Sequence, residues 1–271
     1  MADAVWRFVD DGAALGSYNM ALDMAMTLAA SRREAPATLR LYEWQNPTIS
    51  LGYHQSEADI DLDRCRADGV DVVFRPTGGR AVLHQNEVTY AVVLPPDCPF
   101  FRADIMGVYE LISRCLVRSL RMLDVDVEFE RSKKSPVTLA HDELSALCYA
   151  SSAQYEIVVG GRKLVGSAQR RINNGVLQHG SILVGDEHLN ITHYLARDER
   201  GRRRVRDYMN RHTVSLQQVC LQPVVRQQLK ALIKQAFVEE LRVEFIDGAP
   251  AESERAEALK LKNKFAVLEN S

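Results

Sequence analysis

One cysteine and one lysine flank a predicted β-hairpin near the middle of the chain. Residues 155–159 read Y-E-I-V-V, which favours a β-strand, and Gly160-Gly161 follows as a two-residue loop that tolerates positive φ. The hairpin returns Lys163 toward Cys148, which comes just before the first strand. A nearby ammonium favours the thiolate over the thiol, so the pair could form an activated nucleophile. The same residues could instead be a small core cysteine and a solvated strand lysine.

Three short motifs stand in order around this hairpin. Residues 75–84 read R-P-T-G-G-R-A-V-L-H, residues 161–169 read G-R-K-L-V-G-S-A-Q, and residues 177–183 read L-Q-H-G-S-I-L. They resemble the patterns R-x-T-G-G-x-A-x-x-H, G-x-K-x-x-G-S-A-Q and L-x-H-G-[ST]-[IL]-L of the lipoate/biotin protein ligase-like superfamily. Three ordered motifs are a far more specific signal than one glycine loop. From residue 19 onward the resemblance covers most of the chain.

The resemblance implies an α/β (α+β) fold in which mixed and antiparallel sheets are flanked by helices. The sequence pattern agrees, because it predicts a strand over residues 88–94, a long helix over 105–123 and a strand over 125–129. A chain of 271 residues suits one large domain with a small appendage. We place the catalytic domain at residues 1–250 and a C-terminal helical appendage at residues 251–271.

The resemblance also implies roles for individual residues. Cys148 and Lys163 match the catalytic pair of the superfamily's octanoyltransferase branch, in which a cysteine carries the acyl group. Arg75 and Arg80 would face substrate carbonyls or the phosphate of a carrier, and the two glycine motifs offer backbone N–H groups for an oxyanion. The predicted substrate-binding residues are Arg75, Thr77, Gly78, Gly79, Arg80, Ala81, His84, Gly166, Ser167, Ala168, Gln169, His179 and Gly180.

Three polar positions have two possible roles each, and one aromatic position departs from the superfamily pattern. His179 could donate a hydrogen bond to a substrate oxygen or be a buried structural histidine. Asn19 and Asp23, one helical turn apart in the superfamily's N-x-A-L-D pattern, could brace loops near the site or be exposed helix residues. Phe74 departs from the superfamily, because many relatives have a second arginine there. This departure argues against a phosphate clamp of the adenylate-forming type.

Composition narrows the classes of function. The 34 basic and 36 acidic side chains give a net charge of −2, so nothing overall calls for nucleic acid or an anionic membrane. We expect a cytoplasmic location, because the sequence has no membrane-spanning apolar run and its start lacks signal-peptide features. The five cysteines are scattered without C-x-x-C spacing, which argues against a disulfide framework and a zinc site. No metal and no cofactor are predicted.

One stretch departs from the even charge balance. Residues 197–206 read R-D-E-R-G-R-R-R-V-R and are strongly basic. Such a run is either a solvated surface or a docking patch. If it docks a partner, an acidic carrier protein is the natural one, because opposite charge accelerates encounter and fixes orientation.

The resemblance implies the transfer of an octanoyl group from acyl carrier protein to a lysine of a lipoyl-bearing protein, such as the glycine cleavage H protein. The Cys148 thiolate would attack the donor thioester, and the acceptor lysine would then take the acyl group. Three alternatives stay open. The chain could be an ATP-dependent lipoate or octanoate ligase, an amidotransferase that moves octanoate from the H protein to a second lipoyl domain, or an idle module that binds acyl carriers.

Overall fold

The computed structural model describes residues 4–102, 105–131 and 155–270. Within these ranges the chain forms two β-sheets flanked by helices, which confirms the predicted fold class. The strands are β1 (Ala4–Ala14), β2 (Thr38–Trp44), β3 (Thr48–Leu51), β4 (Asp71–Phe74), β5 (Val82–His84), β6 (Glu87–Leu94), β7 (Glu128–Arg131), β8 (Tyr155–Val159), β9 (Arg162–Ile172), β10 (Gly175–Leu183), β11 (Val243–Asp247) and β12 (Ala266–Leu268). The α-helices are α1 (Gly16–Ser31), α2 (Leu62–Ala67), α3 (Ile105–Arg121), α4 (Glu199–His212), α5 (Leu216–Val219), α6 (Arg226–Leu241) and α7 (Glu252–Phe265).

The larger sheet has the strand order β11-β1-β2-β6-β10-β9-β8-β7. Strand β1 is parallel to both of its neighbours, and the remaining pairs are antiparallel. The predicted hairpin is confirmed: Gly160 and Gly161 turn the chain between β8 and β9 with φ values of 53° and 71°. Positive φ at both loop positions suits glycine, because no Cβ opposes it.

Strand β6 is the centre of the larger sheet and is buried on both faces. Its residues alternate between two apolar clusters, as the pleat of a strand requires. Tyr90 and Val92 point into the core that α3 and α6 cover, whereas Ala91 and Val93 point toward α1 on the opposite face. Helix α1 therefore lies over the same face of the sheet as the odd-numbered residues of β6.

The smaller sheet has the order β12-β4-β3-β5. Its edge strand β12 comes from the C-terminal segment and pairs antiparallel with β4, while α7 packs along α1. Glu254 of α7 also accepts two hydrogen bonds of 2.7 Å from the guanidinium of Arg7. The segment predicted as an appendage thus contacts both sheets. The domain division at residue 250 stays a prediction.

The structure differs from two sequence-based element boundaries. The helix predicted over residues 105–123 ends at Arg121, and the strand predicted over 125–129 is β7, which begins at Glu128. Asp124 has a φ of 58°, so the backbone leaves the helical conformation and turns before the strand begins. None of the helices in the described ranges combines the length and the apolar composition needed to cross a membrane.

Candidate functional site

Lys163 of the predicted catalytic pair lies near the start of β9, whereas Cys148 lies outside the described residues. The Lys163 side chain is buried, and its Nζ is 3.1 Å from Oε1 of Glu156 on β8. Lys163 pairs in register with Val158, so Glu156 is its diagonal neighbour across the hairpin. Sequence reasoning missed Glu156, although the hairpin register could have indicated it. The hairpin therefore holds the ammonium in a fixed, ion-paired position.

The C-terminal end of α4 is attached directly to the Lys163 strand. Thr213, the residue after α4, forms a parallel bridge with Lys163, and the backbone N–H of Val214 donates to the Lys163 carbonyl at 3.0 Å. In the last turns of the helix, the Tyr208 ring stacks on His212 with 3.9 Å between centroids. Burial raises the pKa of Tyr208, and the Glu156 carboxylate adds to that shift. Helix α4 thus forms one wall beside the lysine.

Arg75 organises the glycine loop that follows it. Its guanidinium is buried and donates to the carbonyl oxygens of Ser50 at 2.9 Å, Gly78 at 2.9 Å and Arg80 at 2.7 Å. The loop is therefore wrapped around an arginine, which donates to three backbone carbonyls. Contact of Arg75 and Arg80 with a substrate stays a prediction.

Backbone geometry explains two glycines at this loop, one through its positive φ and one through a close approach. Gly79 has a φ of 94°, which strongly favours a residue without Cβ. A Cβ on Gly52 would lie only 2.0 Å from the carbonyl oxygen of Gly79. The β3 end and the glycine loop therefore touch backbone to backbone, while the neighbouring Ala81 is buried.

His179 joins the glycine loop to α1. Its Nδ1 lies 2.9 Å from Oδ2 of Asp23, and its Nε2 lies 2.6 Å from Oγ1 of Thr77. Burial lowers the pKa of His179, so the imidazole is neutral at neutral pH. In the tautomer that satisfies both contacts, Nδ1–H donates to the carboxylate and Nε2 accepts from the Thr77 hydroxyl. All three side chains are buried.

Asp23 is the hub of a buried polar network. Its Oδ1 accepts from Arg40 at 2.8 Å and its Oδ2 from the Tyr42 hydroxyl at 3.0 Å. Burial opposes the charge, but the hydrogen bond from His179 and the charge of Arg40 outweigh it, so the pKa of Asp23 stays below its usual value. Asn19 accepts from Arg40 at 2.7 Å. Asn19 and Asp23 are fully buried, which excludes the exposed alternative and leaves the bracing one.

A second histidine, His84, is held equally firmly. Its Nε2 is 2.7 Å from Oγ of Ser50, and its Nδ1 is 2.8 Å from Oε1 of Glu87. The Trp44 indole stacks on the imidazole with 4.1 Å between centroids and 11° between planes. Its Nε1 donates to Oγ1 of Thr89 at 2.7 Å. Sequence reasoning singled out only His84 from this cluster, because the partners lie on different strands and carry no motif.

A narrow pocket lies between the two sheets, with both histidines on its wall. Because most polar groups around it are hydrogen-bonded to one another, the wall presents mainly C–H surface. The pocket is lined by Met20, Tyr42, Trp44, Ser50, Arg75, Val82, His84, Thr89, Gly166, Ser167, Ala168, His179, Gly180 and Ser181. Its lining on β9 begins at Gly166, three residues after Lys163, which is about 10 Å along a strand.

The pocket gathers part of the predicted site and omits the rest. The predicted residues on its wall are Arg75, His84, Gly166, Ser167, Ala168, His179 and Gly180. The predicted residues elsewhere are Lys163, Thr77, Gly78, Gly79, Arg80, Ala81 and Gln169. Gly180 allows two strands to meet closely, because a Cβ there would lie 2.2 Å from the Gly166 carbonyl oxygen. The Gln169 side-chain amide is buried without a hydrogen-bond partner among the described residues.

The four cysteines in the described ranges are poor nucleophiles. Burial raises the pKa of Cys65 to about 12 and raises the pKa of the Cys98, Cys115 and Cys220 thiols as well. These four thiols therefore stay protonated at neutral pH. The described part of the chain also contains no cluster of histidine, cysteine and acidic side chains that could hold a metal ion.

Comparison with known proteins places this chain in a family. The model of the lipoyl protein ligase A/B catalytic domain matches residues 16–238. Octanoyltransferase LipM of Kyrpidia tusciae is 39% identical over 262 residues, which cover 96% of each chain. Octanoyltransferase LipM of Bacillus subtilis is 34% identical over 247 residues, which cover 90% of this chain and 88% of that protein.

Two solved structures share the fold. A chain from an archaeal lipoylation system of Thermoplasma acidophilum, a bi-partite lipoate protein ligase and its E2 lipoyl domain, gives a TM-score of 0.76 at 20% identity and covers 96% of this chain and 93% of that one. Lipoate-protein ligase A bound with ATP gives a TM-score of 0.75 at 20% identity and covers 95% of this chain and 94% of that one. At that identity the likeness concerns the fold alone. The sequence relatives go further: this chain belongs to the lipoyl protein ligase A/B catalytic domain family and, within it, is related over nearly its full length to the LipM octanoyltransferases.

Proposed function

We propose that this chain is an octanoyltransferase of lipoate biosynthesis, which moves an octanoyl group from acyl carrier protein to a specific lysine of a lipoyl-bearing protein such as the glycine cleavage H protein. The observation that carries the proposal is the 39% identity to a LipM octanoyltransferase over 96% of both chains. The name of that relative supports the acyl group and the reaction class. The donor and the acceptor rest on the sequence-based prediction.

Covalent catalysis through Cys148 suits this transfer. The thiolate attacks the carbonyl carbon of the donor thioester, a new C–S bond forms, the bond to the carrier sulfur breaks, and the carrier thiolate leaves with a proton from the Lys163 ammonium. The acceptor lysine amine then attacks the same carbon, an amide forms, and Cys148 leaves as thiolate. The first step exchanges one thioester for another, so it needs no ATP. The raised pKa values of the other four thiols support Cys148 as the nucleophile.

The surroundings of Lys163 are those expected of a residue that stabilises such a thiolate. It is buried on a rigid hairpin and is ion-paired with Glu156 at 3.1 Å, so its ammonium has little freedom to move. A fixed positive charge stabilises a thiolate and a developing oxyanion better than a solvated positive charge does. Once it has given its proton to the carrier thiolate, Lys163 is a neutral amine and would take the proton of the incoming acceptor amine.

The pocket between the sheets suits an octanoyl chain. It is narrow, its wall is mainly C–H surface, and its lining on β9 starts three residues after Lys163. An extended eight-carbon chain with bonds of about 1.5 Å spans roughly 9 Å. We therefore propose that the acyl chain lies against Gly166 and Ala168 and ends near the Trp44 indole. The carboxyl end would then lie toward Lys163.

The decisive experiment is intact-mass spectrometry of the purified protein after incubation with octanoyl-acyl carrier protein and no nucleotide. We expect wild type to gain one octanoyl group and Cys148→Ala to gain none. Cys220→Ala is the matched control, because Cys220 is the least buried of the described thiols, and it should be acylated normally. Equal acylation of wild type and Cys148→Ala would rule out Cys148.

The role of Lys163 has its own measurement. We expect Lys163→Ala to slow acylation strongly and to move the pH profile of Cys148 alkylation to higher pH, because the thiolate loses its counter-charge. An unchanged alkylation profile would contradict this role. The profile of Cys148→Ala supplies the background from the other thiols.

The alternatives predict different products. A lipoate or octanoate ligase would release pyrophosphate in the presence of ATP and its acid. Phe74, the position where many relatives have a second arginine, packs against the apolar core, which disfavours a nucleotide clamp there. An amidotransferase would prefer the octanoylated H protein over acyl carrier protein as donor. A binding module would form a stoichiometric complex without turnover.

A further inference from the structure

Most of the basic run at residues 197–206 lies on α4, where its arginines form one face of the helix. Gly201, Val205, Tyr208 and Met209 are buried at helical spacing and hold the helix against the protein. Asp198 caps its N-terminus by accepting from the N–H of Gly201 at 2.8 Å. The exposed arginines on the opposite side form what we call the arginine face: Arg200, Arg203, Arg204, Arg206 and Arg211.

The charge of this face is concentrated rather than shared by the whole surface. Residues 197–211 contain seven arginines and three carboxylates, whereas the entire chain has a net charge of −2. Arg203 is paired with Glu199 at 3.1 Å, but both side chains are largely exposed, so water screens the pair. A local positive excess of this kind steers an acidic partner toward its own patch.

The helix geometry gives the distance between the arginine face and Lys163. Thr213, next to the C-terminal end of α4, is bridged to the Lys163 backbone. A helix rises 1.5 Å per residue, so Arg203 lies about 15 Å and Arg200 about 20 Å along the axis from that point. The arginine face therefore begins at the lysine and extends outward from it along a rigid rod.

We propose that the N-terminal half of the arginine face docks the acidic carrier domain of the octanoyl donor, with the phosphopantetheine arm running along α4 toward Lys163. This inference rests on the proposed function. An arm of about fourteen bonds of roughly 1.5 Å reaches on the order of 18 Å when extended, which matches the distance along the helix.

The same length argument selects the donor rather than the acceptor. The acceptor lysine reaches only about 6 Å from its own backbone, so an acceptor domain must touch the protein at the site itself. A partner that contacts the protein only at Arg200 and Arg203 can deliver its reactive atom only through a long arm. Arg200 and Arg203 thus contribute to encounter and orientation and are not catalytic residues.

The test uses the full chain with Arg200→Glu and Arg203→Glu combined. Position 200 lies in the first turn of α4, where an acidic residue favours the helix dipole, and both arginines are exposed, so the variant should fold. For acylation by octanoyl-acyl carrier protein, we expect kcat/KM to fall roughly tenfold or more at low salt and its salt dependence to weaken. For acylation by octanoyl-N-acetylcysteamine, which has the thioester without a carrier domain, we expect no change.

The matched control is Lys260→Glu combined with Lys264→Glu on α7, which changes the charge equally but lies on the helix that packs against α1. The control should keep wild-type kcat/KM with both donors. An equal loss with the small thioester and the carrier, or no loss with the carrier, would overturn the docking assignment while leaving octanoyl transfer intact. If wild type accepts neither donor, the proposed function fails together with the docking assignment.

Discussion

The imidazole of His179 on β10 and the carboxylate of Asp23 on α1 are joined by a hydrogen bond of 2.9 Å between Nδ1 and Oδ2. The two residues are 156 positions apart in the chain, and both are buried. Through its other nitrogen His179 holds Thr77, so one contact couples α1 to the glycine loop. The stability of this network and the geometry of the loop should therefore respond to the same substitutions.

Removal of the Asp23 carboxylate should destabilise the protein severely. Asp23→Ala leaves the fully buried Arg40 guanidinium without its main counter-charge, which typically costs about 3–5 kcal/mol in the free energy of unfolding. Asp11 also contacts Arg40, at 2.8 Å, but is partly exposed. Asp11→Ala should cost about 1 kcal/mol or less. Urea unfolding of the two variants checks this, and equal losses would show that Asp23 is not the hub.

Loss of the Thr77 hydroxyl should affect turnover more than substrate affinity. Thr77→Val keeps the shape of the side chain but leaves Nε2 of His179 without its donor, at a cost of about 1–3 kcal/mol in stability. We expect a lower kcat for acylation with little change in KM, because the loop shifts while the pocket between the sheets stays intact. Thr77→Ser keeps the hydroxyl and should restore kcat. A Ser variant as slow as the Val variant would contradict the role of the hydrogen bond.

Two buried histidines should make the protein less stable in mild acid. Burial lowers the pKa of both His179 and His188 below the usual 6.5. Between the folded and unfolded values only the unfolded chain takes up the protons, so the free energy of unfolding is full above pH 6.5 and falls as the pH drops below it. We expect Tm to decrease from pH 7.5 to pH 5.5. His179→Gln and His188→Gln should each flatten the decrease, and an unchanged slope in both would refute this assignment.

Trp44 should limit the length of the acyl chain. Its indole and His84 line the pocket between the sheets and also a second, polar pocket that reaches Glu43 and Arg226. Trp44→Ala would remove the partition between the two spaces. We expect the ratio of kcat/KM for dodecanoyl over octanoyl carrier to rise about tenfold or more, since added methylenes gain buried surface. Trp44→Phe keeps a ring and should keep the octanoyl preference, whereas identical chain-length profiles in all three proteins would exclude the partition.

Local features of the fold could be predicted from the sequence with good accuracy. The hairpin of β8 and β9 follows from Gly160-Gly161, because glycine takes positive φ at both loop positions without strain. The basic run at residues 197–206 indicated a polar surface, and most of it is the exposed side of α4. The end of α3 was predicted less well, because the turn at Asp124 depends on a single residue leaving helical φ.

The sequence by itself determined the family, the fold class and the lysine on its hairpin, because these depend on contiguous motifs and on contacts between neighbours in the chain. Only the tertiary structure decided which side chains complete the site. It paired His179 with Asp23 and Thr77, and Asp23 with Arg40. Such pairings depend on how two sheets and α1 pack together. Packing is set by the summed burial and hydrogen bonding of the whole core, which no short stretch of sequence contains.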